Sequence, residues 1–390
     1  MSTFSKAKNS ILALFALAIA AAAIAVGVGF VGGSGTASSL PAPIPKPRLT
    51  RPWTYMADAP KPIAAGRTAV WTGTEMIVAG TNPGSDGTFI HSTNVAEAYS
   101  PATNSWRMLA TPPTTQNYCR RGAVWTGTEM LVWGCSLLAF DPATNVWRRL
   151  PDPPTRQGIV AWTGRELIGW GGGCCGDVSD DGSAYDPETN TWRKLAQAPV
   201  AGQQSPAGAW TGHELVILSG QSPDGKPVGG AAYDPANDTW RPIASVPASF
   251  VAAQALYSGG KVYAVARGTA ATSLLELDLG ADTWKHLGAV AQTPGPALLA
   301  GNQLVMLGGE GSRSAGFAYY MKTGATIPVV VPLLARGVDP ALVWTGQKVL
   351  VWGGTIPTRL NTSNPPRYLT SGLAFRPRKV SPPLPQCCGG

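Results

Sequence analysis

Five arginines stand on the approach to a recurrent Trp-Thr-Gly: Arg67, Arg120, Arg121, Arg156 and Arg336. Three glutamines hold corresponding places, Gln203 and Gln204 ahead of Trp210 and Gln254 ahead of Tyr257. A guanidinium carries paired donors that match carboxylate and phosphate oxygens. Gathered round one opening, such a set would hold an acidic ligand, such as an acidic sugar or a peptide carboxylate. The alternative is structural, with the same arginines bonding to loop carbonyls or to neighbouring elements.

Other chemistry is sparse. Asp177, Asp180 and Asp181 cluster in Gly-Asp-Val-Ser-Asp-Asp-Gly. Clustered carboxylates can ligate calcium, but this spacing is not that of an EF-hand, and a hydrated acidic loop is the preferred reading. No other metal site and no cofactor is expected. The three histidines, His91, His213 and His286, fall in unrelated positions of the pattern described below. No nucleophile elbow and no phosphate-binding loop occurs. The six cysteines suit an oxidising compartment. Cys119 and Cys135 flank one hairpin, and a disulfide between them is the preferred reading, with two free thiols as the alternative. Cys174-Cys175 and Cys387-Cys388 are adjacent pairs, for which a tether between the C-terminal pair and the other loop is less strained than a vicinal bond.

The elements that position these residues are read from a repeat. A large apolar residue is followed seven positions later by another in Tyr99/Trp106, Phe140/Trp147, Tyr185/Trp192, Tyr233/Trp240, Leu277/Trp284 and Tyr320/Ile327. Turns such as Asp186-Pro187-Glu188-Thr189-Asn190 lie between the partners, where Pro fixes φ and Asn tolerates the left-handed region. Upstream stands Trp-Thr-Gly, at Trp71, Trp125, Trp162, Trp210 and Trp344, with degenerate forms at Tyr257 and Leu299. A period of about 45 residues built on short strands and turns predicts an all-β, seven-bladed β-propeller. The seventh unit lacks an outer strand after Phe375, and an orphan one stands at Trp53-Thr54-Tyr55-Met56-Ala57. Residues 53–57 are therefore expected to complete the last blade and to remove two exposed sheet edges.

The Gly-Gly doublet, the Tyr and the Trp in that order resemble the kelch repeat, over about residues 53 to 376. Blades five and six depart from it, the fifth lacking the Gly doublet and the Asp-Pro turn, the sixth having Ile327 where Trp is usual. The resemblance places ligands at the mouth of the central channel, lined by the entries to the innermost strands and by the loops from second to third strands. By that reading the arginines of blades seven, one, two and three share one side of the mouth. The resemblance also raises galactose oxidase, whose copper site needs two His, two Tyr and a Cys cross-linked to one Tyr. This chain supplies only His91 to a mouth-side loop, so copper oxidation of that kind is rejected. Sialic-acid mutarotases share the fold, but no carboxylate partner for an anion-binding Arg is assignable here.

Residues 1–10 are a basic N-terminus with Lys6 and Lys8, and residues 11–31 are uncharged and mostly apolar. That length can span a bilayer as one helix, with the N-terminus cytoplasmic. A signal peptide cleaved near Gly35-Thr36-Ala37 is the other reading. Residues 32–52 form a Pro-, Ser- and Gly-rich linker, and 377–390 a Pro-rich tail. In either case the propeller lies outside the cytoplasmic membrane. Of the formal net charge of +8, Lys6, Lys8, Lys46 and Arg48 contribute four before residue 51. What remains does not make a nucleic-acid-binding stripe. The leading expectation is an exported, membrane-tethered binding module for an extracellular glycan or protein. An enzyme acting on an acidic sugar, as mutarotase or epimerase, and a structural envelope protein are the alternatives.

Overall fold

Five of the seven units open on one turn. In Thr72–Glu75 the Thr72 amide donates to the Glu75 carbonyl at 3.0 Å, and Thr72 Oγ1 accepts from the Glu75 amide at 2.9 Å. The same pair of bonds recurs at Thr126/Glu129, Thr163/Glu166, Thr211/Glu214 and Thr345/Lys348. Between them a glycine sits at positive φ, as in Gly127 at 107°, where a side chain would be strained. The turn joins a short innermost strand to a buried second strand.

The computed structural model describes residues 48–82, 92–113, 122–134, 136–155, 158–173, 178–203, 205–218, 229–291, 295–307, 315–332, 339–356 and 367–377. Seven antiparallel four-stranded sheets make up the fold, with one two-stranded ribbon, Thr355–Ile356 with Arg367–Tyr368. No helix occurs among the described residues. Blade one is Ala65–Trp71, Met76–Asn82, Thr93–Ser100 and Ser105–Met108. Blade two is Gly122–Trp125, Met130–Trp133, Leu137–Asp141 and Val146–Arg149, and blade three is Ile159–Trp162, Leu167–Trp170, Gly182–Asp186 and Thr191–Lys194. Blade four is Gly208–Trp210, Leu215–Ile217, Gly230–Asp234 and Thr239–Ile243. Blade five has the longest strands, Phe250–Ser258, Lys261–Gly268, Thr272–Asp278 and Thr283–Ala291, with register shifts in its first and last pairings. Blade six is Ala297–Ala300, Gln303–Met306, Ala315–Tyr320 and Ala325–Val330.

In the seventh sheet Ala341–Trp344, Val349–Trp352 and Gly372–Phe375 are followed outward by Trp53–Tyr55. Trp53 stands opposite Phe375 and Tyr55 opposite Leu373. The innermost strands touch their neighbours in order round the molecule, from blade one to blade seven and from seven back to one. This makes a seven-bladed propeller.

The core lies between blades. Val78 and Tyr99 of blade one pack with Val343, Leu350 and Trp352 of blade seven. Ile77 and Ala79 of blade one pack on the other side with Val132 and Phe140 of blade two. Alternate residues of one strand thus serve two junctions, which is the period of two expected of a sheet buried on both faces.

One of the six expected pairs is corrected. Tyr99/Trp106, Phe140/Trp147, Tyr185/Trp192, Tyr233/Trp240 and Leu277/Trp284 face one another across the outer pair of strands. In blade six Tyr320 instead faces Ala325, and Ile327 faces Ala318. The turn there lies one residue earlier than the expected pair requires. Tyr319, opposite Thr326, takes the aromatic position, so Thr326 stands where the other blades have Trp.

Candidate functional site

The repeated polar side chains act first between blades. Trp106 Nε1 donates to the Ala57 carbonyl at 2.9 Å, Trp147 to Ala110 at 2.7 Å and Trp192 to Pro151 at 2.9 Å. Trp240 donates to Ala196 at 2.8 Å, Trp284 to Ala244 at 2.9 Å and Trp53 to Val330 at 2.8 Å. Every acceptor is on the chain leaving the preceding blade. The residue two before the Trp reaches the same place. Asn104 Oδ1 accepts from the Ala57 amide at 2.9 Å, Asn145 from Ala110 at 3.0 Å, Asp238 from Ala196 at 3.0 Å and Asp282 from Ala244 at 2.8 Å. One alanine thus has its N–H and its C=O both held by the next blade. These Asn and Asp residues have φ between 50° and 58°, the left-handed region that short polar side chains tolerate. Pro151 has no amide hydrogen, and in that blade Asn190 accepts only from the Tyr185 hydroxyl, at 2.7 Å.

A second set crosses each of the first four blades. Arg107 binds both oxygens of Glu75 at 3.1 and 2.8 Å. Arg148 with Glu129, Arg193 with Glu166 and Arg241 with Glu214 repeat the fork. The bonds hold the guanidinium groups above their ordinary pKa. Indoles also meet across junctions, Trp106 tilted on Trp352 with ring centres 5.1 Å apart and Trp133 edge to face with Trp192 at 5.0 Å.

The expected mouth residues divide. Arg120, Arg121, Arg156, Arg336 and Gln204 lie outside the described residues, as do Asp177, His91, all six cysteines and residues 11–31. Arg67 is described, and its side chain is 2% exposed. It donates to the carbonyls of Asp339 and Ile63, with the Asp339 carboxylate 3.8 Å away, and so spans blades seven and one. Burial lowers its pKa, and Asp339 opposes that. Gly353 makes the room: a Cβ there would come within 3.3 Å of Arg67 Nε.

Gln254 joins blade five to blade six. Its Nε2 donates to the Gly295 carbonyl at 2.8 Å, and its Oε1 accepts from the Ala297 amide at 2.9 Å. Gln203 is fully buried. Its carbonyl accepts from Gly172 at 2.8 Å and its amide donates to Ser179 at 3.2 Å, tying the entry of blade four to the loop of blade three. Of the acidic loop, Asp181 pairs with Lys194 at 2.8 Å and Asp180 accepts from Gln197 at 3.1 Å. Among the described residues no group of three His, Cys, Asp or Glu side chains is placed to hold a metal. Nor is any helix there long and apolar enough to cross a membrane.

What remains for recognition is one face. The hairpins from first to second strands are alike in five blades, whereas the links from second to third strands vary. Blade two uses only residues 134–136 and blade five 269–271, while blade one uses 83–92 and blade four 218–229. The described innermost strands carry one charged residue between them, the buried Arg67.

Glu97 escaped the motif reading. It lies two residues before Tyr99 on the third strand of blade one and is fully buried. Corresponding residues in blades two to seven are Leu138, Ser183, Ala231, Leu275, Phe317 and Leu373. The sequence signal was present as the single acid in that column. It is seen only once the blades are aligned on the aromatic residue.

The pattern described as Kelch motif matches residues 171–199, which contain the glycines at 171–173, Tyr185, Trp192 and Pro199 in blade three. With the seven sheets, that match supports a kelch-repeat propeller. No curated protein matches the chain.

Proposed function

We propose that this propeller is an exported interaction module whose mouth face, formed by the links between second and third strands, binds a protein or glycan outside the cell. Kelch propellers are generally protein-interaction modules. The observation that carries the reading is the contrast between the two faces. Short hairpins, built on the same Thr turn in five of the seven blades, and junction side chains build the support, and the links between second and third strands vary most in length. Variable loops on a fixed scaffold are where binding residues concentrate. An acidic ligand would meet the arginines of blades two, three and seven rather than Arg67, which is spent on the junction.

The termini of the domain support the same orientation. Trp53, Phe375, Val349 and Trp344 stand in line beside the Thr345–Lys348 hairpin. The chain therefore enters before Trp53 and leaves after Phe375 on the hairpin face, opposite the mouth.

A photo-cross-linking residue at Thr93, on the mouth side, and another at Thr128, on the hairpin side, test this in intact cells. Both positions are exposed. The expected result is a discrete adduct from Thr93 and none from Thr128. An adduct from Thr128 alone would overturn the assignment of the face. A glycan array with acidic sugars, probed with the same protein, separates a sugar from a protein ligand.

A further inference from the structure

We propose that Glu97 is a pH-operated latch on the segment joining the closing strand to blade one: neutral, it holds residues 56–64 in place, and ionised, it loosens them. The inference is independent of what the mouth face binds.

That segment lies between two blades and is bonded to both. Met56 and Ala59 donate to the Gly372 and Thr370 carbonyls of blade seven at 3.0 and 2.8 Å. On the blade-one side Ala57 donates to Asn104 at 2.9 Å, Ala64 to the Thr81 carbonyl at 2.8 Å and Lys61 to Glu97 Oε1 at 2.9 Å. Met56, Ala59 and Ile63 are buried in the apolar cluster that Val78, Val95 and Tyr99 form with blade seven. Glu97 alternates with Val95 and Tyr99 on its strand and faces Val78 across the ladder, so its carboxyl group enters that cluster. It has one amide partner there, and Oε2 has none among the described residues. A carboxylate so placed is poorly compensated, whereas a carboxylic acid is not.

The charged groups nearby do not supply the missing compensation. Lys61 is exposed, and Arg67 is committed to Ile63 and Asp339. Arg107, on the outermost strand, is paired with Glu75, and the Tyr99 hydroxyl is bonded to Asn104. Tyr55, just before the segment, and Asp58, within it, have partners of their own. The facing strands of blade seven, Ala341–Trp344, Val349–Trp352 and Gly372–Phe375, have no ionisable side chain. Burial raises the Glu97 pKa from the ordinary 4.5 to about 7, against smaller opposing contributions from the Lys61 amide and charge. The folded chain therefore holds this proton more tightly than the unfolded chain does. The contribution of Glu97 to stability is fully present below pH 4.5, falls as the pH rises through the window up to about 7, and levels off above it. A shift of that size is roughly a 300-fold change in the folding constant, or about 3 kcal/mol.

The test compares the full-length chain with Glu97→Gln and Glu97→Leu, the latter having the residue of blades two, five and seven. Urea unfolding is followed from pH 4.5 to 8.5. Amide exchange of residues 56–64 is measured at each pH relative to Leu167–Trp170, which cancels the intrinsic effect of base. Over this range the latch predicts a folding constant falling about 150-fold more in the wild type than in either variant. It also predicts an exchange ratio that rises with pH in the wild type alone. Parallel pH slopes in all three proteins would overturn it. An unchanged exchange ratio beside a steeper wild-type slope would overturn the local latch and leave Glu97 as a determinant of global stability. Should Glu97→Gln not fold, Glu97→Leu carries the comparison.

Discussion

A single alanine shows how the ring is held. Ala57 donates its N–H to Asn104 and receives the indole N–H of Trp106 on its carbonyl, so both of its peptide groups are satisfied by the next blade. Left unpaired in a partly buried junction, each would be costly. The side chains that do this differ in how many bonds they accept. Asn104 Oδ1 also accepts from the Tyr99 hydroxyl at 2.7 Å, whereas in blade two the aromatic residue is Phe140 and Asn145 accepts from Ala110 alone. Their φ values, 50° and 58°, are close, so the backbone cost of replacing either with Ala is shared. Asn104→Ala should therefore destabilise more than Asn145→Ala, by about the value of one hydrogen bond, ~1 kcal/mol. Urea midpoints of the two variants check the ranking, and equal losses would contradict it. Trp147→Phe keeps the ring on Phe140 but loses the bond to Ala110, for an expected loss of ~1–2 kcal/mol in the same assay.

At the scale of the element, the short strand Trp53–Tyr55 makes more contacts than its length suggests. Trp53 is buried, lies 4.9 Å from the Phe375 ring and donates to blade six. Deleting residues 51–58 should lower the melting temperature sharply, and Trp53→Ala alone should cost ~3–5 kcal/mol. A melting curve unchanged by the deletion would show that the ring does not depend on this strand. Legibility in the sequence followed the same division between element and side chain. The likeness of Trp53-Thr54-Tyr55-Met56-Ala57 to Trp192-Arg193-Lys194-Leu195-Ala196 is plain in the letters, because an outer strand has a fixed order of ring, polar and apolar positions. Blade six was misread because Tyr319 and Tyr320 are adjacent, and a slip of one residue exchanges the two faces of a strand without altering composition. Arg67 could be placed at a blade entry by spacing alone. That its side chain turns into the junction depends on the space beside Gly353, which is more than two hundred positions away. Glu97 reads as an ordinary polar residue of a strand until its neighbours in the other blades are set beside it.

For the molecule as a whole, the repeat matters most where it lapses. Six of the seven junctions have an indole donating to the preceding blade, and the junction between blades five and six has none, because Thr326 occupies the position. The residue equivalent to Ala57 or Ala244 there is Gly288, within the long, bulged outer strand of blade five. This junction is held differently. Gln254 bonds Gly295 and Ala297 near the channel, and Tyr263 lies 5.9 Å from Tyr319 in the apolar cluster between the blades. Among the described residues no indole reaches across its outer half. In a ring whose other junctions each have an indole bond to the preceding blade, opening should begin at the junction that lacks it. Amide exchange under native conditions should therefore appear first in Gln303–Met306 and Ala325–Val330, ahead of the matching strands of blades one to four. Gln254→Ala removes both bonds on the channel side and should hasten exchange in blade six several-fold, with blades one to three unaffected. Uniform exchange round the ring, or acceleration by Gln254→Ala spread evenly over all blades, would mean that the propeller opens as one unit and that the missing indole is compensated by the apolar cluster.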